Sequence, residues 1–446
     1  MILEGDLISN EKLPSTRSLA IDLGVSRNTI LEVYNQLIAE GYLEGCHGSG
    51  TKVATGIKQY RNTSDSNKRP TYLEYPLEDR NLIDFRSGIP DLSLFPRREW
   101  AKRYQCFCYD LPDTSFRYSS PYGVLELRNA IAEYLYNTRG ISCSPSKIMI
   151  VSGATQGLSL ISSLLYSHIK PNVIVEDPTH HGLLQVIAKV GYEITGVPVD
   201  EKGMDVSKLP DLEKVSFLYT TPSHQYPLGG ILPIQRRQEL IQYATKQDCY
   251  IVEDDYDSEF RYEGQPVNSL YELNPDKVIY IGSFSKILAP SIRLGYILLP
   301  DILIDQYKVL KMYSDVHTES LSQYILADFI KTGGLENHIR KMKKVYSQKR
   351  MHLLKELTWN FKGEFQVIGA AAGLHIIVQF KHITFTDELV EQLLQHHIKI
   401  YPVERFALKQ KGKHSNEILL GYAHLSLQQI TNGISILSNT LHSIVK

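Results

Sequence analysis

The sequence predicts an α/β chain in which a small helical unit precedes a larger domain built on a mostly parallel sheet, with a smaller α+β part at the C-terminal end. Three observations carry this prediction. From about residue 81, short apolar runs (Lys147–Val151, Asn172–Val175, Ser216–Tyr219, Tyr250–Val252, Val278–Ile281) alternate with helical patterns, as strands buried on both faces of a parallel sheet do. Residues 1–54 lack that alternation and carry capped helical patterns ending in a glycine-punctuated hairpin. Between them, residues 55–80, with the polar run from Gly56 to Pro70 at their heart, hold little that could enter a core and read as a linker.

Totals fit that plan. A chain of 446 residues exceeds one compact core. Hydrophobic content of 43% and charged content of 22% belong to an ordinary globular protein. No apolar run approaches the roughly 18 residues of a membrane span, so no membrane partner is expected and the chain reads as cytoplasmic. Cys46, Cys106, Cys108, Cys143 and Cys249 are scattered without zinc-ligand spacing, so no metal is expected. A net charge of −1 means that nucleic-acid binding, if present, is local.

In the first unit, Ser15 caps a helix from Thr16 to Leu23, with Leu19, Ala20 and Leu23 at helical spacing. Gly24-Val25 makes a tight turn, and Ser26 caps a second helix reaching about Glu40, with Ile30, Val33, Tyr34 and Leu37 facing inward. The start of that helix, Ser26-Arg27-Asn28-Thr29, is polar, as a recognition helix requires where it meets base edges. Arg17 and Arg27 are donors for guanine or phosphate, and Ser15, Thr16 and Ser26 suit phosphate positioning. Tyr42-Leu43-Glu44 and Thr51-Lys52-Val53 pair around a turn containing Gly48, forming a wing. Charge alone leaves a protein-interaction module open, because Lys12, Arg17, Arg27 and Lys52 face seven acids in this unit. The segment from Lys12-Leu13-Pro14-Ser15-Thr16-Arg17 to Gly48-Ser49-Gly50-Thr51 closely resembles the winged helix-turn-helix of GntR-type bacterial repressors, which implies operator DNA as a partner. Such units begin with a further helix, and only Met1–Gly5 stands in its place. The translated chain is therefore expected to start about twenty residues upstream, enough for one ordinary helix and its cap.

The larger domain offers a Schiff-base lysine. Lys286 follows Val278-Ile279-Tyr280-Ile281 and Gly282, so a strand end presents it, where loss of solvent lowers its pKa. Each part of a phosphorylated aromatic aldehyde finds a partner nearby in sequence-predicted turns. Val151-Ser152-Gly153-Ala154-Thr155 joins a strand to a helix whose N-terminus suits phosphate, and Ser283, Ser285 and Arg293 can complete that site. Glu253-Asp254-Asp255-Tyr256 follows a buried strand and supplies a carboxylate for a ring nitrogen. His180 can cover a ring face, and Gln225 and Tyr256 are candidates for a phenolic oxygen.

Together residues 81–446 resemble a fold-type I, pyridoxal-5'-phosphate-dependent aminotransferase, with a large part at about 81–310 and a small part at about 311–446. The whole chain resembles a MocR/GabR-type transcriptional regulator, on Asp84–Asp91, Thr221–Pro227, Glu253–Tyr262 and the Lys286 loop. The resemblance implies that Lys286 forms the internal aldimine, that Asp254 meets the pyridine nitrogen and that Tyr256 meets the phenolic oxygen. It further implies that Tyr118 reaches the phosphate of a neighbouring subunit, and hence a homodimer. One departure shapes the functional reading. In Glu417–Ala423, Leu419 stands where such enzymes place the arginine that binds a substrate carboxylate, and Arg86 or Arg261 are the remaining candidates for that task. The expected function is a regulator that senses pyridoxal phosphate, or an amine or amino-acid-like effector, through Lys286. The alternative is a working aminotransferase with a vestigial DNA-binding appendage.

Overall fold

The computed structural model describes residues 1–3, 5–46, 50–57, 81–265, 267–409 and 412–444. The chain divides into two compact units, Met1–Glu78 and Asp79–Lys446. Most of the expected linker, and Gly48 of the expected wing, lie outside the described residues.

In the first unit the Ser15 hydroxyl accepts from the Ser18 amide at 3.1 Å and starts the helix Thr16–Leu23, which Gly24 ends in the left-handed region. Ser26 does the same for Arg27–Ala39 through the Thr29 amide at 3.2 Å. Leu43–Cys46 and Gly50–Val53 pair antiparallel, with Leu43 opposite Val53. Ala20, Ile30, Tyr34, Leu43 and Val53 make the core, and the Tyr34 hydroxyl donates to the Pro14 carbonyl at 2.9 Å. Two residues expected inside are not there: Val33 is 45% exposed and Leu23 61%. Ile30, Tyr34 and Leu37 already fill the inward stripe at i, i+4 and i+7, which leaves Val33 on its edge, and Leu23 falls in the last turn.

The second unit is built on an eight-stranded sheet. Its spatial order is Ile148–Val151, Gly295–Leu298, Val278–Ser283, Tyr250–Asp255, Val215–Thr220, Asn172–Asp177, Glu193–Asp200 and Gly203–Met204. The central pairs are parallel, whereas Gly295–Leu298 runs antiparallel to both of its neighbours. The side chains of Ile148–Val151, Val215–Thr220 and Val278–Ser283 are buried throughout, because helices cover both faces.

The C-terminal part holds a four-stranded antiparallel sheet in the order Phe365–Ile368, His375–Phe380, Glu417–Gly421, Tyr401–Pro402. His375–Phe380 and Tyr401–Pro402 are thus separated by Glu417–Gly421, whose buried apolar run takes the central place. Ile398–Lys399 instead pairs in parallel with Ile83–Asp84. The helical run that starts at Ile304 is broken into Ile304–Ser314 and Leu321–Lys331. Val316 sits between them at φ +64°, where a helix cannot continue. Buried Lys311 fixes that break by donating to Asp315 at 2.7 Å and Thr318 at 3.0 Å. No helix among the described residues is long and apolar enough to cross a membrane.

Candidate functional site

Parallel strands ending at Asp177, Thr220, Asp255 and Ser283 direct their following turns to one edge of the sheet, where α/β domains gather ligand-binding groups. A cavity of about 170 Å³ opens there, lined among others by Gly88, Ala154, His180, Tyr226, Asp254 and Lys286. The Lys286 ammonium donates to the Gly88 carbonyl. Gly88 stands at φ +73°, and a Cβ there would come within 2.7 Å of the lysine nitrogen, so this approach requires glycine. Burial lowers the Lys286 pKa, while the Asp257 and Asp254 carboxylates oppose that shift. The result is an amine more readily available as a nucleophile than a solvated lysine.

Asp254, the next-to-last residue of its strand, lines the cavity. One carboxylate oxygen accepts from the Tyr219 hydroxyl on the adjacent strand at 2.5 Å. Its Oδ1 is buried and has no partner. Burial pushes the carboxyl up to about 7 against the pull of the Tyr219 hydrogen bond. A buried, unfilled acceptor at a ligand cavity is what a protonated ring nitrogen would satisfy. Next to it, Asp257 bonds the His224 Nδ1 at 3.0 Å, and the Tyr256 hydroxyl donates to the His224 carbonyl at 3.0 Å. Tyr256 therefore walls the cavity with its ring edge held by His224.

The anion end is built around the helix Ala154–Leu165. Gly153 precedes it at φ +89°, and the Arg293 guanidinium lies so close that a Cβ on Gly153 would meet it at 3.0 Å. Arg293 itself is at φ +54° and donates to the Ser152 carbonyl. The Ser285 amide donates to Ser283 Oγ at 3.2 Å, and Ser283 lies opposite Gly295, which is beside Gly153. A helix N-terminus, a guanidinium and hydroxyls in one place make an oxyanion cradle. Ala154 lines the cavity, whereas Thr155 on the next step of the helix is exposed.

His180 also lines the cavity. Its Nδ1 accepts from the Gly182 amide at 3.0 Å, and burial together with Lys286 lowers its pKa, so the ring is neutral. Gln225 is a correction to the sequence reading. It is fully buried, donates to the Pro178 carbonyl at 3.0 Å and accepts from Leu228 at 3.0 Å, and it does not line the cavity. It completes a network on buried Glu176, which also receives Thr220 at 2.6 Å and Thr221 at 2.7 Å. A buried carboxylate claims nearby donors first, so the turn gives the cavity Thr221 and Tyr226 instead. Tyr118 is 86% exposed, with its ring edge-on to His317, and lines a different cavity of the same chain.

Tyr219, Ser87, Asp257 and His375 are among the cavity residues that were not singled out from the sequence. Tyr219 read as an interior strand residue, although its place one step before Thr220-Thr221 put it at the sheet edge. Ser87 and Asp257 lay inside quoted motifs without assigned roles. His375 sits on a strand of the small sheet, where burial and His224 bring its pKa down to about 3 and its Nε2 bonds the Pro227 carbonyl at 2.9 Å. Among the described residues, no arginine lines this cavity. Arg86 pairs with Asp84 at 3.2 Å, and Arg261 donates to the Glu263 carbonyl at 3.0 Å. Leu419 is fully buried among Val199, Leu228, Ile377 and Val403. In the first unit, Arg17, Ser26, Arg27, Asn28 and Thr29 are exposed, with Thr16 half-buried, and the Ser15 and Ser26 hydroxyls serve as helix caps.

Residues 80–437 match the family of aminotransferases class I and II, and residues 1–53 match the bacterial regulatory proteins of the gntR family. The chain is 31% identical to the "Probable rhizopine catabolism regulatory protein MocR" of Rhizobium meliloti, over 98% of its own length and 90% of that protein. It is 32% identical to the HTH-type pyridoxine biosynthesis transcriptional regulator PdxR of Corynebacterium glutamicum, over 78% of its length and 75% of that protein. The multiple substrate aminotransferase of Thermococcus profundus superposes with a TM-score of 0.75 at 27% identity, covering 82% of this chain and 92% of the enzyme.

Proposed function

The chain belongs to the aminotransferase class I and II family, joined to a gntR-family domain as in the MocR- and PdxR-type regulators, and from that premise we propose that its cofactor pocket senses a small effector. It is a pyridoxal-phosphate-dependent transcriptional regulator, and the gntR-type unit is its DNA-binding part.

Bound pyridoxal phosphate supplies an electrophilic carbon and an electron-withdrawing ring. This chain's residues account for holding it. Asp254 Oδ1 would accept from the ring nitrogen, the Gly153–Arg293 cradle would take the phosphate, His180 would cover the ring, and Lys286 would provide the amine. Tyr219 keeps the second Asp254 oxygen occupied, so the carboxylate is oriented before any ligand arrives.

The observation that carries the sensing proposal is a cavity that, among the described residues, has no arginine in its lining, the Arg293 guanidinium being taken up in the phosphate cradle beside it. An α-amino acid held for turnover needs its carboxylate clamped, and the residues around Leu419 are apolar. The effector is therefore an amine without a carboxylate, or pyridoxal phosphate itself. The PdxR relative, named as a regulator of pyridoxine biosynthesis, supports the second form. The protein works in the cytoplasm as a homodimer, with exposed Tyr118 supplied to the partner's cofactor phosphate.

The test is operator binding by the full chain, on DNA upstream of its own coding sequence, with and without pyridoxal phosphate and simple amines. A shift of about 5- to 150-fold, corresponding to roughly 1–3 kcal/mol of coupling, is expected in the wild type and not in Lys286→Ala. DNA affinity indifferent to both, alongside rapid amino-acid turnover, would establish the working enzyme instead.

A further inference from the structure

A second cavity, of about 330 Å³ and larger than the first, is lined by Arg139, Glu259, Arg261, Glu336, Arg340 and Lys343 among others. Its size falls at the lower end for small-molecule sites, which run from roughly 300 Å³ upward. Arg139 ends the helix Leu125–Arg139 and is only 7% exposed at its side chain. Its Nη2 reaches Asp255 at 2.9 Å and Ser223 Oγ at 2.9 Å, while its Nε is buried without a partner. An unfilled guanidinium donor nine-tenths buried at a cavity wall is an anomaly that a ligand acceptor would remove.

The other walls point to the same ligand chemistry. Glu336, Arg340 and Lys343 follow at i, i+4 and i+7 on one face of the helix Gly334–Phe361. Arg340 and Lys343 are exposed and have no hydrogen-bond or ion-pair partner among the described residues. Two unneutralised cations one turn apart repel, and an anion between them relieves that repulsion. Arg261 adds a third cation from the loop paired with Ala372. Against these stand Glu336 at the helix and Glu259, whose carboxyl accepts from Tyr134 at 2.7 Å and is pushed by burial up to about 7. Arg139 is balanced by Asp255, so the mouth keeps an excess of positive charge.

We propose that this cavity is a second ligand site for a small organic oxyanion of the dicarboxylate class, held by Arg139, Arg261, Arg340 and Lys343. Its lining residues are distinct from those of the cofactor cavity, although Ser258 directly follows the cofactor cavity's Asp257 in the chain.

The experiment is calorimetric titration of the full, pyridoxal-phosphate-loaded protein with succinate at constant ionic strength. One saturable site is expected, weakened at least about tenfold, or roughly 1.4 kcal/mol, in the double variant Arg340→Gln, Lys343→Gln. Both positions are exposed, so the variant's melting temperature and cofactor absorbance should match the parent's. Inorganic phosphate run as a competitor separates two supporting cases: displacement of succinate marks a general oxyanion site, and no displacement marks a dicarboxylate site. Lys286→Ala must bind succinate as the parent does; loss there would put the binding in the cofactor cavity and overturn the proposal. Absence of saturable binding, or binding that the double variant leaves intact, would overturn it as well.

Discussion

The Tyr219 hydroxyl holds one oxygen of Asp254 at 2.5 Å while the other, equally buried, has no partner. Replacing Asp254 with Asn keeps the shape and removes the charge. Pyridoxal phosphate affinity should fall by about 2–3 kcal/mol, the usual worth of a hydrogen bond to a charged group, which equilibrium titration would read as a loss of roughly 30- to 150-fold. Unchanged affinity would mean that Asp254 does not meet the ring.

Lys286→Ala should abolish covalent retention of pyridoxal phosphate after borohydride reduction, read by intact mass. Reversible cofactor binding through the Gly153–Arg293 cradle should survive in weaker form, because the phosphate groups are untouched. Covalent labelling that persists in the variant would show that another amine is the acceptor.

Arg27 opens the second helix of the DNA-binding unit and is exposed. Arg27→Ala should weaken operator binding by about 1–3 kcal/mol and leave thermal stability unchanged. Anisotropy at two salt concentrations assigns the contact. A phosphate contact lowers the salt slope by about one for every sequence, whereas a base contact relaxes discrimination at one position. No effect on DNA affinity would remove Arg27 from the interface.

Leu419→Arg tests whether the missing clamp can be restored. The side chain there is fully buried among apolar neighbours. An unpaired guanidinium in that place should destabilise the fold by upward of about 3 kcal/mol, read by denaturant unfolding. A stable variant that gains amino-acid turnover would instead show that the apolar cluster opens to the cofactor cavity.

Burial, with His224 beside it, brings His375 down to about 3 from its usual 6.5. The unfolded chain therefore takes up a proton that the folded chain refuses. The associated stability is complete above pH 6.5 and is lost as pH falls toward 3. Asp254 acts in the opposite sense: its folded pKa of about 7 exceeds its usual 3.8, so its contribution is lost as pH rises through that interval. In cofactor-free protein, His375→Gln should flatten the fall in melting temperature between neutral pH and pH 4. An unchanged slope would assign that acid sensitivity to other groups.

The parts legible from sequence were those set by local pattern. Caps at Ser15 and Ser26, strands such as Val278–Ser283, and the lysine at a strand end all follow from short-range chemistry. Pairing across the small sheet did not, because Glu417–Gly421, Tyr401–Pro402 and His375–Phe380 are brought together only by tertiary order. Gln225 and Tyr219 show the same limit at the site. Tyr219 lies near a strand end and Gln225 in the turn that follows it; Gln225 is drawn inward by buried Glu176, and Tyr219 is aimed at Asp254 on the next strand. No spacing within one segment distinguishes those two fates.

The bond from Lys286 to the Gly88 carbonyl has a mechanical meaning. Gly88 follows closely on Ile83–Asp84, which is stitched to Ile398–Lys399. Whatever draws the lysine nitrogen into the cavity unlatches that carbonyl. By reciprocity, a load on the margin of the domain must alter how freely the nitrogen is surrendered. The lysine is thus contested from two directions, by the ligand in front of it and by the backbone behind it.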